Sequence, residues 1–173
     1  TQDGRLLPPV DGWMVAMARE HGVKPLLHLS TVTEQGTFSN GRAAMVLRDP
    51  AVARQLAQEI LDTIRAQGYA GLDLDFEFLP AQDRAAYGDF TAMLHEMLAP
   101  LGYSVTVALA PKTRADQPGL LYEGHDYALL GRAADSVFLM TYEWGYTYGP
   151  PMAVAPLPNV KQVLDYALTE MAA

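Results

Sequence analysis

The 173-residue sequence contains no cysteine, which excludes disulfide bonds, thiolate nucleophiles and cysteine-ligated metal centres. Basic residues are scarce: 12 lysines and arginines stand against 20 aspartates and glutamates, giving a formal net charge of −8. Nucleic acid and anionic lipid both bind basic surfaces, so neither partner is expected. The sequence also has no apolar run near the roughly 20 residues that a membrane-spanning helix needs.

Half of the residues are apolar and 18% are charged, which is enough apolar material to bury a core in a single domain. Residue 1 is Thr rather than Met, and residues 1–5 have the composition of a loop rather than of a signal peptide. We therefore expect the chain to be part of a longer protein.

Apolar residues alternate between strand-like and helix-like spacing along the chain. Strands are predicted at residues 25–31, 71–78, 104–110 and 136–142. The clearest helix starts at Asp49, which is followed by Pro50, and ends before Gly68. Other helices are predicted at 13–22, after Pro80 and from a cap at Asn159. This alternation predicts βαβ units around a parallel sheet.

Two architectures produce such alternation, an open doubly wound sheet and a (β/α)₈ barrel of the TIM type. In the strand predicted at 71–78, Asp73, Asp75 and Glu77 share one face. The other face is apolar: Leu72, Leu74, Phe76 and Phe78. An open sheet would bury those acids under a helix, whereas a barrel directs them into a lumen. We predict the barrel, and since a whole one needs about 250 residues, only half of it is present.

Three acids at alternate positions of one strand lie about 6–7 Å apart. They cannot all ionise freely in a partly dry site, so at least one should hold its proton near neutral pH. A protonated carboxyl beside an ionised one is what acid-catalysed cleavage of a glycosidic bond requires. Two alternatives stay open: acids that face water on a solvated strand, and a divalent-metal site.

Residues 71–77 resemble the signature of glycoside hydrolase family 18, Asp-Gly-x-Asp-x-Asp-x-Glu, with Ala70 in place of the first Asp. Residues 140–142 are similar to the Met-x-Tyr strand end of the family. Residues 110–113, 119–127 and 140–166 resemble one branch, the bacterial spore-cortex peptidoglycan N-acetylglucosaminidases, which are often fused to LysM cell-wall-binding modules.

The resemblance extends over residues 24 to 166 and implies that the four strands are the third to sixth of the family's barrel. Residues 1–173 would then be a single fragment of the catalytic domain. The flanking strands and any cell-wall-binding modules would be absent from it.

The resemblance implies retaining, substrate-assisted cleavage of β-1,4 bonds next to N-acetylglucosamine, in which the sugar's own acetamido oxygen attacks the anomeric carbon. Glu77 would act first as general acid and then as general base. Asp75 would orient the acetamido group, and Asp73 would share a proton or hydrogen bond with Asp75. Tyr142 would donate its hydroxyl to the acetamido oxygen.

Further substrate-binding residues are expected near the end of the fourth strand. Met140 would pack beneath the sugar, and Glu143 would bind sugar hydroxyls. Trp144 would either stack on a pyranose ring or cover loop backbone. Tyr146 is a candidate on the following loop.

Three other polar residues are less specific. His28 is expected in a structural polar layer on the lumen side of the first strand. Lys112 could meet an anionic group of the glycan or pair with an acid. His125 lies in a predicted loop with no evident partner.

The resemblance implies a polysaccharide partner (peptidoglycan or a chitin-like glycan), no cofactor or metal, and a secreted, spore or cell-wall location. A chitinase is one alternative. A lectin-like, non-catalytic member or an inactive fragment is another, although the presence of Glu77 weighs against a lectin. An isolated half-barrel would expose two strand edges, so we expect it to self-associate and to have little activity alone.

Overall fold

A computed structural model of the chain describes residues 1, 3–145 and 148–171. In this part of the chain, parallel strands form one sheet in the order β1-β2-β3-β4. The strands are β1 (Leu26–Ser30), β2 (Gly71–Asp75), β3 (Ser104–Leu109) and β4 (Ser136–Leu139). Each strand pairs with the next one in sequence, and helices occupy every connection between them, as the βαβ pattern predicts.

The helices are α1 (Gly12–Glu20), α2 (Asn40–Arg48), α3 (Pro50–Gln67), α4 (Arg84–Leu98), α5 (Leu120–Glu123), α6 (Tyr127–Ala133) and α7 (Leu157–Glu170). Helix α3 has the predicted ends: the Asp49 carboxylate accepts two backbone N–H groups at its start, and Gly68 ends it at φ 82°. None of the described helices is both long and apolar enough to cross a bilayer.

The core lies between one face of the sheet and the helices packed against it. From the sheet it takes Leu72, Leu74, Phe76, Val105, Val107 and Leu109. From α3 and α4 it takes Leu56, Ile60, Ile64, Tyr87, Phe90 and Leu94. The other face is polar and partly exposed, with His28, Asp73 and Thr106 side by side in the strand register. A doubly wound sheet has helices on both faces, so this arrangement favours a barrel wall.

The elements differ from the predicted ones mainly at the C-terminal ends of strands. Strand β2 ends at Asp75 rather than at residue 78, because the chain turns where Phe78 adopts a left-handed φ of 55°. Phe78 therefore leaves the apolar face and is 37% exposed. Strand β4 likewise ends at Leu139, and α7 begins at Leu157, ahead of the cap predicted at Asn159.

Candidate active site

The acids of β2 gather at the C-terminal edge of the sheet. Asp73 and Asp75 lie on the polar face of the strand, and Glu77 follows two residues after its end. A cleft of about 640 Å³ opens beside them. Its walls include Asp75 and Glu77 together with predicted residues from beyond β4: Met140, Tyr142, Glu143 and Trp144. Tyr146 lies outside the described residues.

Glu77 is the most perturbed acid of this cleft. Burial, and next the neighbouring charges of Asp75 and Glu143, raise its pKa to about 7. A carboxyl with this pKa is close to half protonated at neutral pH, so it can both give and take a proton there.

Asp75 is buried, and burial, opposed by His28 and assisted by Asp73, raises its pKa. Its Oδ1 atom is buried without a hydrogen-bond partner among the described residues. Its Oδ2 atom lies 3.8 Å from Nε2 of His28. Because a buried carboxylate oxygen is normally hydrogen bonded, an Oδ1 atom without a partner is unusual.

Asp73 is held from the neighbouring strand. Its Oδ2 atom lies 2.8 Å from Nδ1 of His28, and this hydrogen bond is the main cause of the raised pKa of His28. His28 also approaches Asp75, so one imidazole, 45 residues before Asp73 in sequence, contacts both aspartates. A proton or hydrogen bond shared by Asp73 and Asp75 stays a prediction.

The segment after β4 forms the opposite wall. Met140 N–H donates to Leu109 O at 3.0 Å and Trp144 N–H donates to Val154 O at 3.0 Å, so both ends of the segment are tied to other parts of the chain. Between them Tyr142 is 40% exposed. Burial, and then the charge of Asp75, raise the pKa of its hydroxyl, which therefore stays protonated as a hydrogen-bond donor.

Several residues that line the cleft are not among the predicted binding residues. They are Phe38 from the loop between β1 and α2, Gln117 and Tyr122 from the connection between β3 and β4, and Gln162 from α7. Phe38 packs on the ring of Phe78 with centroids 5.7 Å apart, across the point where β2 turns. Such contacts depend on the fold, and no local sequence pattern predicts them.

Two polar residues lie behind the cleft rather than in it. Lys112 is fully buried, and its Nζ atom donates to the carbonyl oxygens of Ala115 and His125, so it neither faces a glycan nor pairs with an acid. His125, which had no evident partner in the sequence, is fully buried and bonded to the backbone at Ala110 and Phe76. These partners lie 15 and 49 residues away, which is why sequence reasoning missed them.

Among the residues that the structure describes, no three His, Asp or Glu side chains lie close enough together to hold a metal ion. The divalent-metal alternative therefore finds no ligand set in that part of the chain.

Comparison with known proteins agrees with this geometry. The family model described as "Glycosyl hydrolases family 18" matches residues 14–172. The chain belongs to glycosyl hydrolases family 18. This confirms the resemblance seen in residues 71–77 and 140–142.

Relatives within the family also match the predicted branch. The chain is 44% identical to the cortical fragment-lytic enzyme of Bacillus subtilis (strain 168), over 86% of this chain and 34% of that protein. It is 36% identical to the enzyme of the same name from Bacillus anthracis, over 98% of this chain and 39% of that protein. The chain thus spans little more than a third of the length of these curated relatives.

Solved structures confirm the fold class. The Bacillus cereus spore cortex-lytic enzyme SleL superposes with a TM-score of 0.93 at 35% identity, over 99% of this chain and 39% of that chain. A chitinase from Chromobacterium violaceum superposes with a TM-score of 0.91 at 22% identity, over all of this chain and 55% of that one, and shows the fold alone. The four-stranded sheet is a partial barrel of the TIM type, as predicted.

Proposed function

We propose that residues 1–173 are part of the catalytic domain of a retaining glycoside hydrolase. It would cleave β-1,4 bonds next to N-acetylglucosamine in spore-cortex peptidoglycan. The observation that carries the proposal is the carboxyl of Glu77, whose pKa of about 7 makes it a proton donor at neutral pH on the wall of a sugar-sized cleft. The similarity to cortical fragment-lytic enzymes supports cortex as the substrate and the spore or cell wall as the location.

Glu77 acts in both steps of the proposed reaction. In the first step it gives its proton to the leaving glycosidic oxygen, the bond from C1 to that oxygen breaks, and the acetamido oxygen forms a bond to C1. In the second step the Glu77 carboxylate takes a proton from water. The water oxygen then bonds to C1 and releases the acetamido oxygen, with net retention.

Asp75 and Tyr142 act on the acetamido group. The carboxylate of Asp75, which lines the cleft, accepts the acetamido N–H, and its negative charge stabilises the positive charge that develops on the ring. The hydroxyl of Tyr142 donates to the acetamido oxygen and orients it towards C1. Asp73 and His28 support Asp75 from beneath, through the contacts described above.

The remaining residues of the predicted set form the binding walls. Met140 offers an apolar floor, Glu143 a carboxylate for sugar hydroxyls, and Trp144 a ring for stacking on a pyranose. Tyr146 keeps its proposed part in binding from the adjoining segment.

The test is release of reducing ends from purified spore-cortex peptidoglycan, identified by mass spectrometry. The 173-residue chain should release a small amount of N-acetylglucosamine ends, and Glu77→Gln should release none. Chitin oligomers run in parallel tell a cortex enzyme from a chitinase. Binding of the glycan by both proteins without release would replace hydrolysis by a lectin-like function, and absence of both would overturn the proposal for this chain.

We also propose that the 173-residue chain self-associates. Strands β1 and β4 form the two edges of the described sheet, and an unpaired parallel edge is a template for a further strand. Size-exclusion chromatography with light scattering should give a mass above 18.9 kDa that rises with concentration. A monomer at every concentration would contradict this.

A further inference from the structure

The backbone of Phe76, the residue before Glu77, is held at both its N–H and its carbonyl by buried side chains. The N–H of Phe76 donates to the hydroxyl of Tyr87 at 3.4 Å, and its carbonyl lies 2.9 Å from Nε2 of His125. Tyr87 and His125 are both fully buried. The residue between Asp75 and Glu77 thus has its backbone groups bound to parts of the chain outside β2.

The direction of the bond from His125 is fixed by its other nitrogen. The N–H of Ala110 donates to Nδ1 at 2.8 Å, so Nδ1 carries no proton and Nε2 carries the hydrogen. Nε2 therefore donates to Phe76 O. Burial lowers the pKa of His125 to about 4, which keeps the imidazole neutral and this tautomer in place at neutral pH.

The backbone around Glu77 needs such support because it leaves the regular strand. Phe78, the next residue, has a left-handed φ of 55°, which a bulky side chain rarely adopts without help from its surroundings. The residue before His125 meets the chain just beyond this turn. A Cβ atom added to Gly124 would lie 2.3 Å from Cβ of Leu79, so the two backbones are in direct contact. Residues 124 and 125 thus touch the chain on both sides of Glu77.

His125 is itself anchored to the end of β3. Its carbonyl accepts from Nζ of Lys112 at 2.8 Å, and the same ammonium group donates to Ala115 O at 2.9 Å. The hydroxyl of Tyr127 donates to Ala110 O and accepts the N–H of Lys112. A buried polar network therefore joins the C-terminal end of β3 to the C-terminal end of β2. His125 is the only described side chain that bonds to both of these ends.

We propose that His125 is a positioning residue of this enzyme: by holding the Phe76 carbonyl it fixes the direction in which the Glu77 carboxyl enters the cleft. The inference rests on the proposed role of Glu77 and extends it to a residue that does not touch substrate. The competing explanation is that His125 only stabilises the fold.

Two substitutions separate these explanations because each keeps one nitrogen position of the imidazole. In His125→Gln the amide can reach the position of Nε2 and still donate to Phe76 O, while the acceptor for Ala110 N–H is lost. In His125→Asn the amide oxygen can replace Nδ1 as that acceptor, while the bond to Phe76 O is lost. Tyr127→Phe is the control, since it removes bonds of the same network that do not involve Phe76.

The first readout needs no activity. The Glu77 carboxyl is titrated by ¹³C NMR, with its signal assigned by its absence in Glu77→Gln. The pKa of Glu77 should stay near 7 in the wild type, His125→Gln and Tyr127→Phe, and fall towards 4.5 in His125→Asn, whose loosened carboxyl gains access to water. If His125→Asn does not fold, Tyr87→Phe replaces it, because it frees the N–H of the same residue, Phe76.

The second readout is the release of reducing ends from cortex peptidoglycan. His125→Asn should lower kcat about 10- to 100-fold with little change in KM, and His125→Gln should stay near the wild type. Equal effects of the two variants on the pKa of Glu77, or no effect of either, would overturn the positioning role. If the wild type releases nothing while the pKa contrast persists, the proposed hydrolysis fails and the positioning of the carboxyl stands.

Discussion

Each of the two strand ends that form the cleft is followed by a non-glycine residue in the left-handed conformation, but the surrounding chain holds the two turns differently. Phe78 after β2 and Glu143 after β4 are the non-glycine residues of positive φ in the described chain, at 55° and 59°. At the β2 end the buried side chains of His125 and Tyr87 bind the carbonyl and the N–H of Phe76. At the β4 end the turn lies in a segment with Tyr142 40% exposed, joined to the chain by backbone bonds at either end.

This difference matches the tasks proposed for the two ends. A general acid must meet one oxygen atom within hydrogen-bond reach, so its backbone benefits from rigid support. Residues that bind sugar hydroxyls and ring faces tolerate more freedom, because several poses give useful contacts. The buried support beside Glu77 and the more exposed segment after β4 thus lie on two sides of one cleft, in keeping with the two proposed tasks.

The largest expected effect is on kcat, and it appears when the carboxyl after β2 and the carboxyl after β4 are removed one at a time. Glu77→Gln should lower kcat about 10²- to 10⁴-fold, since it removes the proposed proton donor and acceptor. Glu143→Gln, measured at pH 5.5 where Glu77 is protonated, should cost less than about 10-fold. Reducing-end release from cortex peptidoglycan measures both, and equal losses would remove the distinction between the two ends.

The two tyrosines give the next comparison. Tyr142→Phe should lower kcat about 10²-fold, as expected for loss of a donor to the reacting oxygen, and leave thermal stability unchanged because the ring is exposed. Tyr87→Phe removes a long bond to Phe76 N–H inside the core and should cost about 1 kcal/mol of unfolding free energy with a smaller loss of kcat. Denaturant unfolding and kinetics of both variants check this, and a reversed pattern would contradict it.

Sequence reasoning succeeded where the signal was local. The ends of α3 follow from Asp49 and Gly68, which act on their immediate neighbours. The alternation in β2 predicted which residues join the core and which face the lumen. The ends of parallel strands meet at one edge of a sheet, so the gathering of Asp75, Glu77 and Tyr142 could also be predicted.

It failed where structure depends on distant contacts. The turn at Phe78 contains no glycine, so the sequence does not predict it. The carbonyl of Phe76, just before this turn, is held by a histidine 49 residues away. The pairing of His28 with Asp73 requires the register of β1 against β2, which the sequence does not contain in any local form. The position of Lys112 after a strand end predicts contact with a glycan or an acid, but its ammonium group donates to two backbone carbonyls.

A smaller effect concerns the pH dependence of activity and the influence of one strand end on the other. The proposed acid must be protonated, so kcat/KM should fall as pH rises above about 7, the pKa of Glu77. The charge of Glu143 contributes to that raised pKa, after burial and Asp75. Glu143→Gln should therefore move the alkaline limb to lower pH, by less than the full distance to 4.5. An unmoved limb in a kcat/KM profile would show that the two ends are electrostatically independent.

The smallest expected effect is on stability, and its sign follows from the raised pKa of Glu77. Between pH 4.5 and about 7 the folded chain binds more protons at this residue than the unfolded chain does. The contribution of Glu77 to stability is thus fully present below pH 4.5 and is lost as pH rises through 7. Glutamine does not ionise, so Glu77→Gln should gain in Tm relative to the wild type as the pH is raised from 4 to 8. Because other acids titrate in both proteins, the difference between the two Tm curves isolates Glu77. A constant difference would mean that its carboxyl is not desolvated, and the rigid support at the end of β2 would then have no electrostatic consequence.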